Sequence, residues 1–443
     1  MKQGEVMWPR LVASKILRKR LGSHNFVADF PINTETLLEL PYLEQESLSS
    51  KIIFNDYQDT NNYNTWNVGG IAPLEDVNMK ELLDTSNTSC DIYVLGFQEV
   101  VPLRASNVLG SENSGIAMKW NSLIREALNK KTSKQERNEE GKLKEQQISI
   151  PTKDGKPSIT PEFRCIVSKQ MVGILISVWV RSDLQPFIRN PSVSCVGCGI
   201  MGFLGNKTWP TKMGSVSVRF RLHETSFCFV CCHLASGGRE GDERHRNSNA
   251  TEILSRTSFP RGPSLDLPRK ILDHNRTIFL GDFNYRISLP EPATRLLVDR
   301  GDWNALLQND QLKMELTDGQ VFEGWQEGMI KFAPTYKYHT NSDEYYGGGD
   351  GKKGEKKRAP AWCDRIIWSG EGLKQLSYTR GESRLSDHRP VKAIFTTQVR
   401  VSRRLKGLQN FFISERFEQI TSRFDLSSSL GRSSFQLSEN LTP

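Results

Sequence analysis

The chain has no apolar run long enough to cross a bilayer. Its longest, MVGILISVWV at 171–180, is about half of the ~20 residues a spanning helix needs and reads better as a buried strand. The amino terminus, MKQGEVMWPRLVASKILRKRLG, lacks a compact apolar core followed by a small-residue cleavage site, so a secretory signal is not expected. Without that route, Asn-X-Ser/Thr matches such as NRT at 275–277 carry little weight as glycosylation sites. Cysteine is sparse, with eight in 443 residues. CVGC at 195–198 and CFVC at 228–231 could offer thiolates to zinc, yet FCFVCCHL is an apolar strand-like run without a glycine knuckle. Reduced packing cysteines are therefore expected. These absences point to an intracellular, cytoplasmic protein.

What the chain does contain is enough sequence for one large core or several domains. Hydrophobic residues at 37% and charged residues at 25% fit a soluble protein with long polar excursions. Fifty-nine Lys plus Arg against 51 Asp plus Glu gives a formal charge of +8. That balance favours an anionic partner, whether nucleic acid, a membrane surface or a phosphorylated small molecule.

Residues 1–60 read as a basic, irregular extension with an amphipathic stretch around LVASKILRKRL. NYNTWNVGG, DIYVLGFQEV, FRCIVSKQMVGILISVWV, FCFVCCHL, TIFLGDFNYRI and RIIWSG then form a series of strand candidates, rich in β-branched and aromatic residues. Such a series predicts a sizeable α/β system of two packed sheets. Helices are predicted over SENSGIAMKWNSLIREALNKK and over PATRLLVDRGDWNALLQNDQLKMEL, where Asp302 and Asp310 read as helix-surface acids. KKTSKQERNEEGKLKEQQISIPTKDGKPSITP, at about 130–160, reads as a solvated insertion in a domain running from 61 to 400. The run at 347–358, GGGDGKKGEKKR, is a second loop candidate, and 401–443 reads as a tail carrying the amphipathic LQNFFISERFEQI.

Several strand candidates end in polar residues. In GDFNYR at 281–286 an extended chain would turn Asp282 and Asn284 to one face and Phe283 to the other. DIYVLGFQEV ends in Gln98 and Glu99, TWNVGG supplies Asn67, and RLSDHRPVKAIF places Asp387 and His388 before another strand candidate. Carboxylates and amides of this kind can hold Mg²⁺, which takes oxygen ligands and keeps several waters. Taken alone, each has a bland alternative as surface charge, turn cap or satisfied core histidine.

The constellation resembles the inositol polyphosphate 5-phosphatases, and its layout looks most like the plant type I enzymes. The matching pieces are TWNVGG at 65–70, FQEV at 97–100, CCHLASG at 231–237, GDFNYRI at 281–287, FAPTYKY at 332–338, PAWCDRIIW at 360–368 and SDHRPV at 386–391. PAWCDRI with GDFNYRI marks the 5-phosphatase branch, whereas SDH alone reaches across the wider DNase I-like fold. The resemblance implies an α/β two-sheet sandwich of the endonuclease/exonuclease/phosphatase type. It also implies Mg²⁺-dependent removal of the 5-phosphate from phosphoinositides or soluble inositol polyphosphates. It assigns Glu99 and Asn67 to the metal, and Asp282 and Asn284 to the attacking water and the phosphate. His388, with Asp387 beside it and Asp364 as its partner, matches the essential histidine, while His233 contacts the phosphate under attack. Lys337, Tyr336 and Arg365 are expected near bound substrate, as are Asn206 and Lys207 of GNK. The expected partners are these headgroups and, peripherally, an anionic membrane; nucleic acid fits less well.

One departure stands out. The family joins GNK directly to a glycine-serine strand, but here GNKTWPTKMGSVSV places Thr208–Met213 between Lys207 and Gly214. A bulky Trp209 and a restrictive Pro210 beside a substrate-side turn are expected to displace Asn206 or Lys207. Two rival functions follow: a catalytically weak phosphoinositide-binding protein, or a Mg²⁺-dependent nuclease or phosphodiesterase of the same fold.

Overall fold

A computed structural model describes residues 25–29, 53–73, 77–85, 89–102, 114–130, 162–198, 213–261, 267–318, 321–347 and 358–403. Met1–Leu40 and Asp56–Arg400 form one unit, while Pro41–Asn55 and Val401–Pro443 form a second. The described residues of the second unit are limited to three at the end of each of two strands, and the fold below is that of the first. The amphipathic stretch near residue 15, the insertion at about 130–160, the greater part of the run at 347–358 and the C-terminal tail lie outside the described residues, as do Asn206 and Lys207.

The strands, in chain order, are β1 (Ile53–Asn67), β2 (Ile92–Gln98), β3 (Phe163–Met171), β4 (Ile174–Arg181), β5 (Ile188–Cys198) and β6 (Met213–Leu222). After them come β7 (Thr225–His233), β8 (Arg276–Asp282), β9 (Gln326–Glu327), β10 (Asp364–Ser369), β11 (Leu373–Arg380) and β12 (Val391–Arg403). They form two six-stranded sheets, ordered β11-β12-β1-β2-β4-β3 and β5-β6-β7-β8-β10-β9. The long apolar run expected as a strand is half of a hairpin, because Val172 takes a left-handed φ of 54° and turns β3 into β4.

Period-two alternation explains the layering. In β2, Ile92 and Val94 face the other sheet and join Ile176, Val178, Val218, Phe229 and Leu280 in the central core. Tyr93, Leu95 and Phe97 point outward. Gly96 lies on the inner face, where a Cβ would come within 2.3 Å of Leu280 and 2.7 Å of Cys231, so glycine lets the sheets approach.

The helices are α1 (Met79–Leu83), α2 (Ser114–Asn129), α3 (Asp242–Arg256), α4 (Glu291–Asp299), α5 (Trp303–Leu307) and α6 (Gln311–Asp318); α1, α2, α3 and α6 pack on the outer faces, while α4 and α5 pack on the central core through Leu297, Val298, Leu306 and Leu307. Trp120 and Ile124 of α2 pack on Trp66 and Phe97, and Ala250 and Ile253 of α3 pack on Val230 and Phe279. Full burial of such side chains contributes roughly 1.5–3 kcal/mol each. The result is a helix–sheet–sheet–helix sandwich.

Two expectations change. The predicted continuous helix from 292 to 316 is three helices: the first break falls where Gly301 takes a φ of 65° and Asp302 caps α5 by accepting from the Ala305 N–H at 3.1 Å, and the second precedes α6, where Asp310 Oδ1 accepts from the Lys313 N–H at 2.9 Å. Within the predicted N-terminal extension, 25–29 pair with the edge of β3, Val27 exchanging backbone bonds of 2.9 and 2.7 Å with Ser168. The cysteines are free thiols. Cys195 and Cys198 lie on β5, Cys228 and Cys231 on β7, and β6 runs between, so the two pairs serve packing.

Candidate active site

Parallel pairing sets the location. β1 and β2 run parallel with Asn67 opposite Gln98, and β7 and β8 run parallel with His233 opposite Asp282. β10 is antiparallel to β8 and begins at Asp364, opposite Asp282. The carboxyl ends of two parallel pairs, one from each sheet, therefore meet the start of β10 and the turn into β12. Asn67, Asp282, Asn284, Asp364, His233 and His388 all converge there, each no more than 6% exposed.

Asp282 sits at the centre. Its Oδ2 accepts from Asn67 Nδ2 at 2.9 Å and lies 3.5 Å from His233 Nε2 and 3.9 Å from His388 Nε2. Its Oδ1 accepts from the Asn284 backbone N–H at 3.0 Å. That local bond accompanies a left-handed φ of 58° at Asn284, a conformation asparagine tolerates better than most residues. Asn284 Nδ2 donates to the Leu234 carbonyl at 3.2 Å.

His388 Nδ1 faces Asp364 Oδ2 at 2.8 Å, and Thr335 Oγ1 donates to the same oxygen at 2.7 Å. Burial alone would lower the His388 pKa, but the carboxylates of Asp364, Asp282 and Asp387 outweigh it and push it up to about 9. Burial raises the pKa of Asp364, opposed by His388, with which it titrates as a pair. The balance favours an imidazolium facing the buried Asp364 carboxyl. The loop before it is anchored too, Ser386 Oγ donating to the Asn67 carbonyl at 2.7 Å.

Glu99 follows β2 with a φ of 54°, an unusual conformation for a side chain of its size and of a kind found at functional sites. Its Oε1 lies 3.5 Å from Asn67 Nδ2 and 3.9 Å from His233 Nε2. No Lys or Arg among the described residues forms an ion pair with Glu99 or Asp282. Two adjoining carboxylates suit a hard divalent cation; the Asn67 amide turns its Nδ2 toward them, and its oxygen accepts from the Gly69 N–H at 3.0 Å, so that oxygen would have to turn to join them. Asp282, Asp364 and His388 also bring ligand atoms within 4.8 Å of one another. Asp364 Oδ2 is already engaged by Thr335 and His388, so that trio reads as an ion pair beside an acid.

Tyr336 and Lys337 line one wall. The Tyr336 ring centroid is 4.7 Å from that of His388, and Lys337 Nζ lies 5.5 Å from the rings of Tyr336 and Tyr346 and 2.5 Å from Asp387 Oδ2. Burial lowers the Lys337 pKa, but the hydrogen bond and charge of Asp387 raise it further. Asp387 is thus the partner of this lysine.

Arg365 requires a correction. The alternation that turns Asp364 toward the site turns Arg365 away from it. Its guanidinium is fully buried, with Nη1 at 2.9 and 3.0 Å from the two oxygens of Asp310, and Nε and Nη2 at 2.6 and 2.5 Å from Glu327. Arg365 is a buried ion-pair centre turned away from the site, and Asp310 is its buried partner, not a helix-surface acid. Thr335, Ser386 and Arg286 were not singled out from the sequence. For Arg286 a signal existed, since the i, i+2 rhythm through Asp282 and Asn284 continues to it.

Residues 64–394 match the Endonuclease/Exonuclease/phosphatase family 2, the class to which this fold and its polar strand ends correspond. The chain is 65% identical to the type IV inositol polyphosphate 5-phosphatase 9 of Arabidopsis thaliana, over 93% of this chain and 96% of that one. It is 45% identical to the type I inositol polyphosphate 5-phosphatase 8 of the same plant, over 88% and 86%. Among solved structures it is similar to the inositol polyphosphate 5-phosphatase domain of SPsynaptojanin in complex with inositol (1,4)-bisphosphate and calcium ion. That match has a TM-score of 0.63 and 27% identity, covering 85% of this chain and 94% of that one. The chain belongs to the inositol polyphosphate 5-phosphatases and is a phosphoric monoester hydrolase of that family. Its relatives carry both type I and type IV names.

Proposed function

We propose that the chain removes the 5-phosphate of phosphatidylinositol 4,5-bisphosphate and related phosphoinositides or soluble inositol polyphosphates, with Mg²⁺ as cofactor. The observation that carries this reading is Asp282, held by hydrogen bonds on both oxygens and facing the His388–Asp364 ion pair.

Water attacks phosphorus as one of its protons passes to the Asp282 carboxylate, the bond from phosphorus to the inositol oxygen breaks, and the departing oxygen takes up a proton from solvent to become the inositol hydroxyl. The hydrogen bonds from Asn67 Nδ2 and the Asn284 backbone N–H fix that carboxylate before the reaction, so little reorganisation remains in the transition state. His388, already protonated, donates from Nε2 to an anionic phosphoryl oxygen and stabilises charge; at neutral pH it is no base. His233, whose Nε2 lies 3.5 Å from the same Asp282 oxygen, supplies a second donor. Mg²⁺ held by Glu99 and Asn67 would polarise the phosphoryl group and neutralise charge as it develops. Lys337 and Tyr336 would meet phosphates elsewhere on the ring.

A basic chain of this kind suits peripheral contact with an anionic membrane from the cytoplasm. The binding-only alternative is disfavoured by the convergence of the acid, amide and histidine groups. A phosphomonoester headgroup is favoured over a nucleic-acid backbone by Lys337 beside the site. A headgroup panel with Mg²⁺, measuring released phosphate and the position removed, tests the reading; loss of a phosphate other than the 5-phosphate, or diester cleavage, overturns it.

A further inference from the structure

Arg286 is a half-buried cation beside the reaction centre whose partners are not acids. Nη2 donates to Asn284 Oδ1 at 2.6 Å, Nε donates to the Gly237 carbonyl at 3.1 Å, and the guanidinium carbon lies 4.4 Å from the Tyr336 ring centroid. Among the described residues no carboxylate lies within ion-pair distance of it. Burial opposes its charge, while the neighbouring Cys363, Tyr336 and Asp282 favour it, and no direct ion pair sets the direction of the guanidinium.

Its hydrogen bonds do. The Asn284 amide has two faces, and each is committed: Nδ2 to the Leu234 carbonyl and Oδ1 to Arg286. A donor at Oδ1 fixes which way the amide points. Through the stacked Tyr336 ring, which lies 4.7 Å from His388, the same guanidinium also braces the opposite wall. Only a planar fork can donate in two fixed directions and stack at once.

We infer that Arg286 is a positioning residue: it locks the Asn284 amide and ties it to the Tyr336–His388 wall, acting on turnover through Asn284. This rests on the phosphatase reading above, and the parent protein's turnover, measured in the same series, tests that reading separately.

The test is a double-mutant cycle on phosphate release. Arg286→Lys keeps the charge and loses the fork. It is expected to lower kcat roughly 10- to 100-fold, because small displacements of a reacting group are costly, with KM within about 3-fold of the parent. In an Asn284→Ala background the same change is expected to cost less than about 3-fold, since the amide it positions is gone. Equal losses in both backgrounds would overturn the inference. So would a raised KM at unchanged kcat, which would make Arg286 a direct phosphate contact. Unfolding of both single variants would assign the residue to stability and likewise overturn it.

Discussion

Replacing Arg365 by Ala removes a fully buried guanidinium and leaves Asp310 and Glu327 facing each other without a cation. Four bonds of 2.5–3.0 Å are lost, and burial, the largest influence on Glu327, already raises the pKa of that carboxyl. Breaking a buried pair from one side typically costs about 3–5 kcal/mol, because the stranded charge cannot be rehydrated. At about 2–4 °C per kcal/mol for a domain at the larger end of the usual range, the melting temperature should fall by roughly 6–20 °C. Turnover per folded molecule, assayed well below the transition, should stay within about 3-fold for every headgroup. A melting temperature within about 2 °C of the parent, with losses confined to multiply phosphorylated substrates, would refute the structural assignment and restore Arg365 to the substrate.

Asp364→Asn keeps a neighbour for His388 Nδ1 but removes its principal anion. With burial no longer outweighed, the imidazole pKa should fall from about 9 toward or below 6.5, its ordinary value, leaving the ring mainly neutral at pH 7. Since the cation is the active form, the parent kcat should hold until pH rises toward 9, whereas the variant should lose activity on a limb lying at least about 1 unit lower; superimposable profiles would contradict this. His274, buried with its Nδ1 against the Lys270 and Ile271 carbonyls, has its pKa lowered to about 4, first by burial. The unfolded chain takes that proton near 6.5 and the folded one does not, so stability is intact above 6.5, falls as pH drops toward 4, and loses about 3 kcal/mol in all. Urea melts at pH 7 and pH 4.5 should show a smaller loss for His274→Gln than for the parent, and equal losses would count against the assignment. Glu99→Gln should raise the Mg²⁺ concentration for half-maximal rate by about 10-fold or more; an unchanged Mg²⁺ titration would remove Glu99 from the metal.

Much of the site was legible because its residues sit at the ends of strands whose interiors are plainly apolar. Asp282, Glu99 and Asn67 each end such a run, and parallel pairing brings the ends together. Arg365 was expected near substrate from its place in the CDR motif, while its direction is set by strand alternation; the parity of Asp364 turns it away from the site. Asp310 lies 55 residues from Arg365 in sequence, and no local pattern announces such a pair. The same holds for Thr335, whose hydroxyl reaches Asp364 across 29 positions. Gly301 could have signalled the helix break, since glycine followed by a capping Asp302 is stop-and-start chemistry.

The most direct measurement is position-resolved phosphate release from phosphatidylinositol 4,5-bisphosphate by the parent and by Asp282→Asn, at saturating Mg²⁺ and with folding checked. The parent should yield only the 4-phosphate product, and the variant, retaining shape but not the proton-accepting oxygen, should lose at least about 10²-fold in kcat. Near-parental turnover by a folded Asp282→Asn variant, or a parent that removes another phosphate, would contradict the account.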